Sequence, residues 1–392
     1  MRAQYAASEK PSKAGTNGRI EESGGMRKIL SKSQRNEKEG LMRRFMLLLF
    51  IVTVLLMAGS TNALFAAPAS KPLVLKAASW MPGHIPHARC GMWIVKDIER
   101  RSQGRLKIEY YYANSLVPAK QLIDALEKGV ADIAFINAAY QPGKLPLLTV
   151  NTLPATSPGE YYPTAKAMAE LIQMPEIQAE LDKLNIRYLG PLPNTTYGIW
   201  TSKKQVRSLN DLKGLKIRTL GLMTNLLHAL GGVPVALGAT EIYSAIEKGT
   251  LDGGGANPTM ALGYKWEEVT NYYYPIAFGN VAMFVGINKN SWKKIPPDIQ
   301  KHFTAVHEIA CGVSHQIYQG EGETMLNKYV KAGKITVTQP SAEDFAKVRK
   351  VAREKIWSDW VKKMKKRGLP GQKVMDRWLE LLAKWHGQSP FK

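Results

Sequence analysis

Cysteine is nearly absent from this chain: Cys90 and Cys311 are the only two in 392 residues, far apart and each inside a helix-like stretch. Two are too few for a disulfide framework, and spacing alone does not establish whether they pair; two buried thiols are the simpler expectation. Low-complexity tracts and internal repeats are missing beyond residue 70. With 45% hydrophobic and 22% charged residues, the composition excludes disordered and collagen-like chains, and the length suggests two domains.

Catalytic signatures are also missing. His84 and His87 form an H-x-x-H, yet no cysteine or second carboxylate pair stands nearby at metal-ligand spacing. His307-Glu308 begins like a zinc-protease motif, but its second histidine is absent. There is no G-x-S-x-G elbow and no P-loop, and Gly253-Gly254-Gly255 does not match a dinucleotide fingerprint. Triads are spatial, so this does not exclude an enzyme; it leaves no catalytic residue or metal ligand to nominate.

Acidic residues are scarce, 32 against 54 basic ones, for a net charge of +22. Acidic partners are favoured in general. Much of the excess lies in C-terminal helices such as Lys362-Lys363-Met364-Lys365-Lys366-Arg367, where a solvated helix face is the simpler reading.

No apolar run is long enough to span a membrane comfortably. The longest, Phe45 to Met57, follows Met42-Arg43-Arg44 and gives way to small residues up to Ser70. A transmembrane helix needs ~20 apolar residues. A positive start, a short apolar core and a small-residue exit make 42–69 a secretory signal peptide, cleaved after Ala66 or Ala69; an uncleaved anchor is the competing reading. Residues 1–41 read as a non-native or disordered extension before a start at Met42. No cysteine near the cleavage region offers a lipid attachment point. Export argues against nucleic acid as the partner, and the mature part still carries 43 Lys/Arg against 27 Asp/Glu, or +16.

From Leu73 on, short strands alternate with helices. Leu73–Ser79, Leu106–Tyr112 and Ala131–Ile136 are predicted strands, separated by helices over 86–101 and 118–128. After a proline-rich stretch and two helices the rhythm restarts with strands at 186–189, 197–201, 215–218 and 233–237, and another beginning at Leu251. A strand over 281–288 precedes a long helix from Pro296 to about Val330, then helices over 341–366 and 374–385. Two α/β units of this kind place a ligand cleft at the carboxyl ends of their strands. Arg218 closes the strand Leu215–Arg218, where a rigidly held guanidinium offers two parallel N–H donors to a carboxylate; a surface ion pair is the alternative. Asn257, between three glycines and Pro258, reads equally as a ligand contact, a turn residue or a helix cap. Tyr140, Tyr197 and Trp200 would wall a less polar pocket, or belong to the core.

Three further segments carry a resemblance. They are Asp211-Leu212-Lys213-Gly214-Leu215-Lys216-Ile217-Arg218, Leu230-Gly231-Gly232-Val233-Pro234-Val235 and the run from Glu241 to Gly253. With Asn288, Trp292 and Pro296-Pro297-Asp298-Ile299-Gln300, they resemble the solute-binding proteins of tripartite ATP-independent periplasmic (TRAP) transporters, the DctP-type family. The resemblance covers nearly everything from residue 72. It implies an α/β, two-lobed periplasmic binding protein fold, with mixed sheets flanked by helices and a long helix spanning both lobes. Lobe I would take 72–195 with 284–323, and lobe II 196–283 with 324–392. It implies a periplasmic receptor, not an enzyme, that needs no cofactor or metal and hands a small organic acid to small and large membrane subunits. Arg218 would pair with the ligand carboxylate and Asn257 would support it. Trp80, Met81 and Asn137 match cleft-lining positions that vary with substrate.

The departures narrow the ligand. A second arginine found in many members is replaced here by the Tyr197-Gly198-Ile199-Trp200 neighbourhood, and an aromatic by Ala239 before Thr240-Glu241. This argues against a sialic-acid-like ligand. Gly255-Ala256 stand where the α-keto-acid branch carries Glu-Trp, against a metal-bridged ligand. A monocarboxylate or dicarboxylate with an apolar or aromatic body remains. A ligand-presenting protein for a sensory receptor, and behind it an exported enzyme, are the competing functions; permease genes nearby or measured turnover would separate them.

Overall fold

The computed structural model describes residues 42–51, 53, 71–156, 159–192 and 194–389, without the side chains of 307–311, 313 and 319. The extension over 1–41 and both expected cleavage points lie outside the described residues. Residues 42–51 are helical with exposed side chains. Among the described residues no helix is long and apolar enough to cross a membrane. Residues Ser70–Lys392 form one compact unit.

That unit contains two sheets. The first has the order β2-β1-β3-β10-β4, from β1 (Leu73–Ala78), β2 (Leu106–Tyr111), β3 (Ile133–Ile136), β4 (Ile186–Leu192) and β10 (Met283–Asn288). β1 runs parallel to β2 and β3, as the β-α-β-α-β rhythm predicts, whereas β10 is antiparallel to β3 and β4. The second sheet comprises β5 (Tyr197–Thr201), β6 (Lys216–Arg218), β7 (Val233–Val235), β8 (Gly253–Ala256), β9 (Tyr272–Gly279) and β11 (Thr336–Val337), in the order β11-β9-β5-β8-β6-β7. Both sheets are therefore mixed. The chain passes from the first sheet to the second between β4 and β5, and returns between β9 and β10.

Strand β9 has no counterpart in the sequence reading. Pro275 interrupts its pattern, and proline is tolerated in a sheet only where a ladder hydrogen bond is dispensable. The pairing of β9 with β5 shifts register just beyond Tyr274, so Pro275 falls at the irregularity.

The helices flank these sheets. Those used below are α1 (Pro86–Arg101), α2 (Leu122–Glu127), α3 (Tyr161–Leu171), α4 (Pro175–Lys183), α5 (Met223–Ala229), α6 (Ile242–Glu247) and α7 (Pro258–Gly263). α8 (Pro297–His315) and α9 (Glu321–Lys331) follow, then α10 (Ala342–Val351), α11 (Ser358–Lys366) and α12 (Gly371–Trp385). α8 and α9 are one helical run joined through a π turn at Gln316–Gly320. α8 packs on α1 and β4, beside the first sheet; α9 packs on α7, which follows β8 of the second. A π turn releases backbone carbonyls from the helical ladder. One of them, Tyr318 O, accepts a 2.6 Å bond from the Thr259 hydroxyl of α7.

The C-terminal helices return to the first sheet's side. α12 packs on α3, where Glu170 accepts bonds from Lys384 and from the Trp385 indole at 2.8 Å. Trp360 donates to Thr149 Oγ1 at 2.8 Å, and Trp357 to the Pro154 carbonyl at 2.9 Å. Cys90 on α1 is a free, buried thiol, and burial pushes its pKa up to about 12.

Glycine permits close approaches at several places, two of them against aromatic rings of the core. Gly91 lets α1 lie against the Phe135 ring of β3, and Gly254 lets the Trp266 ring approach β8, 2.7 Å from where a Cβ would stand. Gly91→Ala and Gly254→Ala should each destabilise by about 1–3 kcal/mol through overpacking. Urea denaturation checks this, and unchanged midpoints would mean that the two rings are free to move.

Candidate functional site

Several strand ends converge on one small cavity. Trp80 and Met81 follow β1, Asn137 and Tyr140 follow β3, Arg218 ends β6 and Leu220 follows it; Tyr197 starts β5 and Met283 starts β10. His87 and Ile85 at the start of α1, Asn194 in the crossover to β5, Ala239 before α6, Met260 of α7 and Tyr264 just after it complete the lining of a cleft of ≈ 350 Å³, its open mouth included.

Arg218 is the cavity's distinctive group. Its side chain is fully buried at 0% exposure, and its Nε donates to the Leu237 carbonyl at 3.0 Å. Both terminal nitrogens are buried and without a partner among the described residues. Burying an ion costs several kcal/mol unless it is paired. A carboxylate arriving in the plane of the guanidinium would accept two parallel, charge-assisted bonds.

Much of the remaining lining is apolar and aromatic. Trp80 and Tyr140 meet edge to face, with ring centroids 5.4 Å apart. Asn137 is nearly buried, and its Oδ1 accepts from the Ala139 backbone at 2.9 Å, which fixes the turn carrying Tyr140.

Six of the residues expected from sequence (Trp80, Met81, Asn137, Tyr140, Tyr197 and Arg218) line this cavity, whereas Trp200 and Asn257 do not. Side chains alternate along a strand, so Trp200, three residues after Tyr197, faces the other side of β5. There it stacks on Tyr273 at 4.3 Å and donates to the Ala256 carbonyl at 3.2 Å. Asn257 is the N-cap of α7: its Oδ1 accepts from Met260 N at 2.8 Å. Its amide donates to Asn194 Oδ1, Tyr318 Oη and the Thr195 carbonyl. Those bonds commit the side chain to the protein, and any effect on a ligand acts through Asn194.

Sequence reading missed His87, Asn194 and Tyr264. Asn194 ties the two crossovers together: its backbone and side-chain N–H groups both donate to Val281 O, at 3.2 and 3.0 Å. It also donates to Tyr197 Oη and accepts from Tyr318 Oη. His87 is buried, its ring packed edge to face on Tyr318 with centroids 3.7 Å apart. Burial pushes its pKa down to about 3, against a smaller opposing hydrogen bond from Asn194, so the imidazole is neutral. The position of His87 had a signal, since a helix opening directly after a strand end points its first turn at the cleft. Tyr264 and Asn194 had none.

A larger groove of ≈ 880 Å³ is lined by Ala139, Thr152, Gly221, Leu222, Lys363 and Arg367 among others. Its two cations are exposed to solvent and place no demand on a ligand. No group of side chains able to hold a metal ion occurs among the described residues.

The model of DctP, bacterial extracellular solute-binding protein family 7, matches residues 77–364. A monocarboxylate 2-oxoacid-binding periplasmic protein of Nostoc sp. is 28% identical over 239 residues, 59% of this chain and 65% of that protein. The match thus spans a little under two thirds of that relative. A TRAP solute-binding protein from Rhodoferax ferrireducens, solved with copurified benzoate, superposes with a TM-score of 0.73 at 24% identity, over 81% of this chain and 99% of that one. A marine metagenome TRAP solute-binding protein specific for aromatic acid ligands, solved with 3-hydroxybenzoate, gives 0.73 at 25% identity, with the same coverage of 81% and 99%.

The burial of His87 carries a pH signature. The folded pKa of about 3 lies below the ordinary 6.5, so the unfolded chain binds the extra proton between those values. This contribution is complete above pH 6.5 and is lost as pH falls towards 3. Glu180 works in the opposite sense: burial raises its carboxyl to about 7 against N–H donation from Leu147 and Leu148, so its contribution is lost as pH rises through that value. A difference measurement removes it. Relative to His87→Gln, the wild type should lose up to about 1.4 kcal/mol of stability per pH unit on acidification below 6.5. Urea unfolding of both proteins at neutral and mildly acidic pH checks this; a constant difference would mean that His87 is solvated.

Proposed function

The chain belongs to the DctP family of bacterial extracellular solute-binding proteins, and from that premise we propose that it is the periplasmic receptor of a TRAP transporter. It captures a small organic acid and delivers it to the membrane subunits. The observation that carries this reading is the Arg218 guanidinium, buried at the end of β6 with two unpaired donors in the lining of the cavity where the strand ends meet. Lobe I, built on the first sheet (72–195 with 284–323), and lobe II, built on the second (196–283 with 324–392), close around the solute. The last helices of lobe II lie back across lobe I. Closure follows binding only because the carboxylate favours the closed form over the open one.

The aromatic edge of Trp80 and Tyr140 favours a flat or apolar body on the acid. The ligands named for the relatives, a monocarboxylate 2-oxoacid, benzoate and 3-hydroxybenzoate, are in keeping with this class. Binding asks nothing catalytic of these residues: the buried histidine is neutral and the lining holds no serine, threonine, cysteine, lysine or carboxylate.

Thermal shift of the protein from residue 70 onward, screened against monocarboxylates and dicarboxylates, tests the reading. An acid at ~100 times its dissociation constant should add ~2.7 kcal/mol of stability. In Arg218→Met that gain should vanish, while the variant alone stays at least as stable as the wild type, because removing an unpaired buried charge relieves its desolvation cost. A gain that survives in the variant would place the anchor elsewhere, and silence across a broad acid library would remove the acid from the reading.

A further inference from the structure

Arg218 is not the only cavity residue with an unmet hydrogen bond. Of the other lining residues, His87 and Tyr264 each carry a buried polar atom, Nε2 and Oη, without a partner among the described residues. The remaining polar atoms discussed above are committed. Asn137 Oδ1 accepts from Ala139, Asn194 ties the crossovers, and Tyr197 Oη accepts from Asn194 and lies 3.6 Å from Met260 Sδ. Buried polar atoms in folded proteins are nearly always paired, so two more left open in the small cavity that holds Arg218 point to partners on its occupant.

We propose that His87 Nε2 and the Tyr264 hydroxyl form a second subsite, which hydrogen-bonds a hydroxyl group on the body of the ligand, so that the solute is a hydroxylated monocarboxylate. The inference rests on the reading of Arg218 as the carboxylate anchor and adds what the rest of the molecule must carry. A hydroxyl is donor and acceptor at once, so it pairs with a phenol and with an imidazole nitrogen in either tautomer. A second carboxylate meets no such match. Arg218 is the one lysine or arginine among the lining residues, and the imidazole is held neutral by burial. A dicarboxylate would therefore bury one anion with no counter-charge. An acid without the hydroxyl would fill the space but leave both atoms unpaired, and a site built to bond a hydroxyl discriminates against the analogue that lacks it.

Three acids of one skeleton, titrated calorimetrically into the protein from residue 70 onward, test this. In an aromatic series they are benzoate, meta-hydroxybenzoate and isophthalate; in an aliphatic series, butanoate, β-hydroxybutanoate and succinate. In at least one series the hydroxy acid should bind about ten-fold or more tighter than both the parent acid and the diacid. In Tyr264→Phe and in His87→Phe, the ratio of hydroxy-acid to parent affinity should fall towards one. The ratio carries the result, so a general loss of affinity in either variant does not imitate it. Parent and hydroxy acids binding equally to the wild type, a diacid binding tightest, or a ratio untouched by both variants would overturn the subsite and leave Arg218 standing. No binding by any of the six would overturn the anchor and, with it, the subsite.

Discussion

A guanidinium buried without an anionic partner is the constraint from which the rest of the site follows. The single bond to the Leu237 carbonyl satisfies Nε and leaves most of the desolvation cost in place. Such a group would be selected against in a core that only had to be stable. Here it ends an interior strand, next to the edge of its sheet, with β7 and β8 on either side fixing its backbone, and it lines a cavity rather than facing solvent. The electrostatic cost is thereby concentrated where an incoming carboxylate would cancel it. Ion pairing in so dry a setting is far stronger than at a surface.

The second organising element is Asn194. It stands where the chain leaves the first sheet and bonds to Val281, where the chain returns. Through Tyr318 it also touches the π turn of the long helical run, and through Asn257 the cap of α7. One buried amide thus joins the crossovers, the helix that runs past both sheets and the wall of the cavity. His87 packs on the same Tyr318 ring. A change in the cavity would therefore reach the joints of the fold through a few buried hydrogen bonds.

Much of this was legible in the sequence, and the gaps have physical reasons. The alternation of strands and helices gave the two α/β units, because each element buries one face and shows its period. Arg218 stood out because a strand, a cation and a glycine turn follow one another within a few residues. Trp200 was open between pocket wall and core, and a parity count separates the two: three residues along a strand from Tyr197 reverses the face. Asn257 looked like a ligand contact or a cap, and its geometry makes it a cap. Strand β9 was hidden by Pro275, which is tolerated only because the ladder slips beside it. His87 and Tyr264 stayed invisible for a deeper reason. Their importance lies in the hydrogen bonds they do not make, and an unmet bond exists only once the chain has folded around it.

The central claim is that a carboxylate is recognised here as an ion, by Arg218. Its most direct test is to compare the tightest-binding acid with its own primary amide, which keeps the shape and loses the charge. The account predicts that the amide binds about a hundred-fold more weakly or worse, since its N–H₂ group would face the guanidinium donors. Equal affinity of acid and amide would contradict it, showing that shape alone selects the solute and that the buried charge has some other purpose.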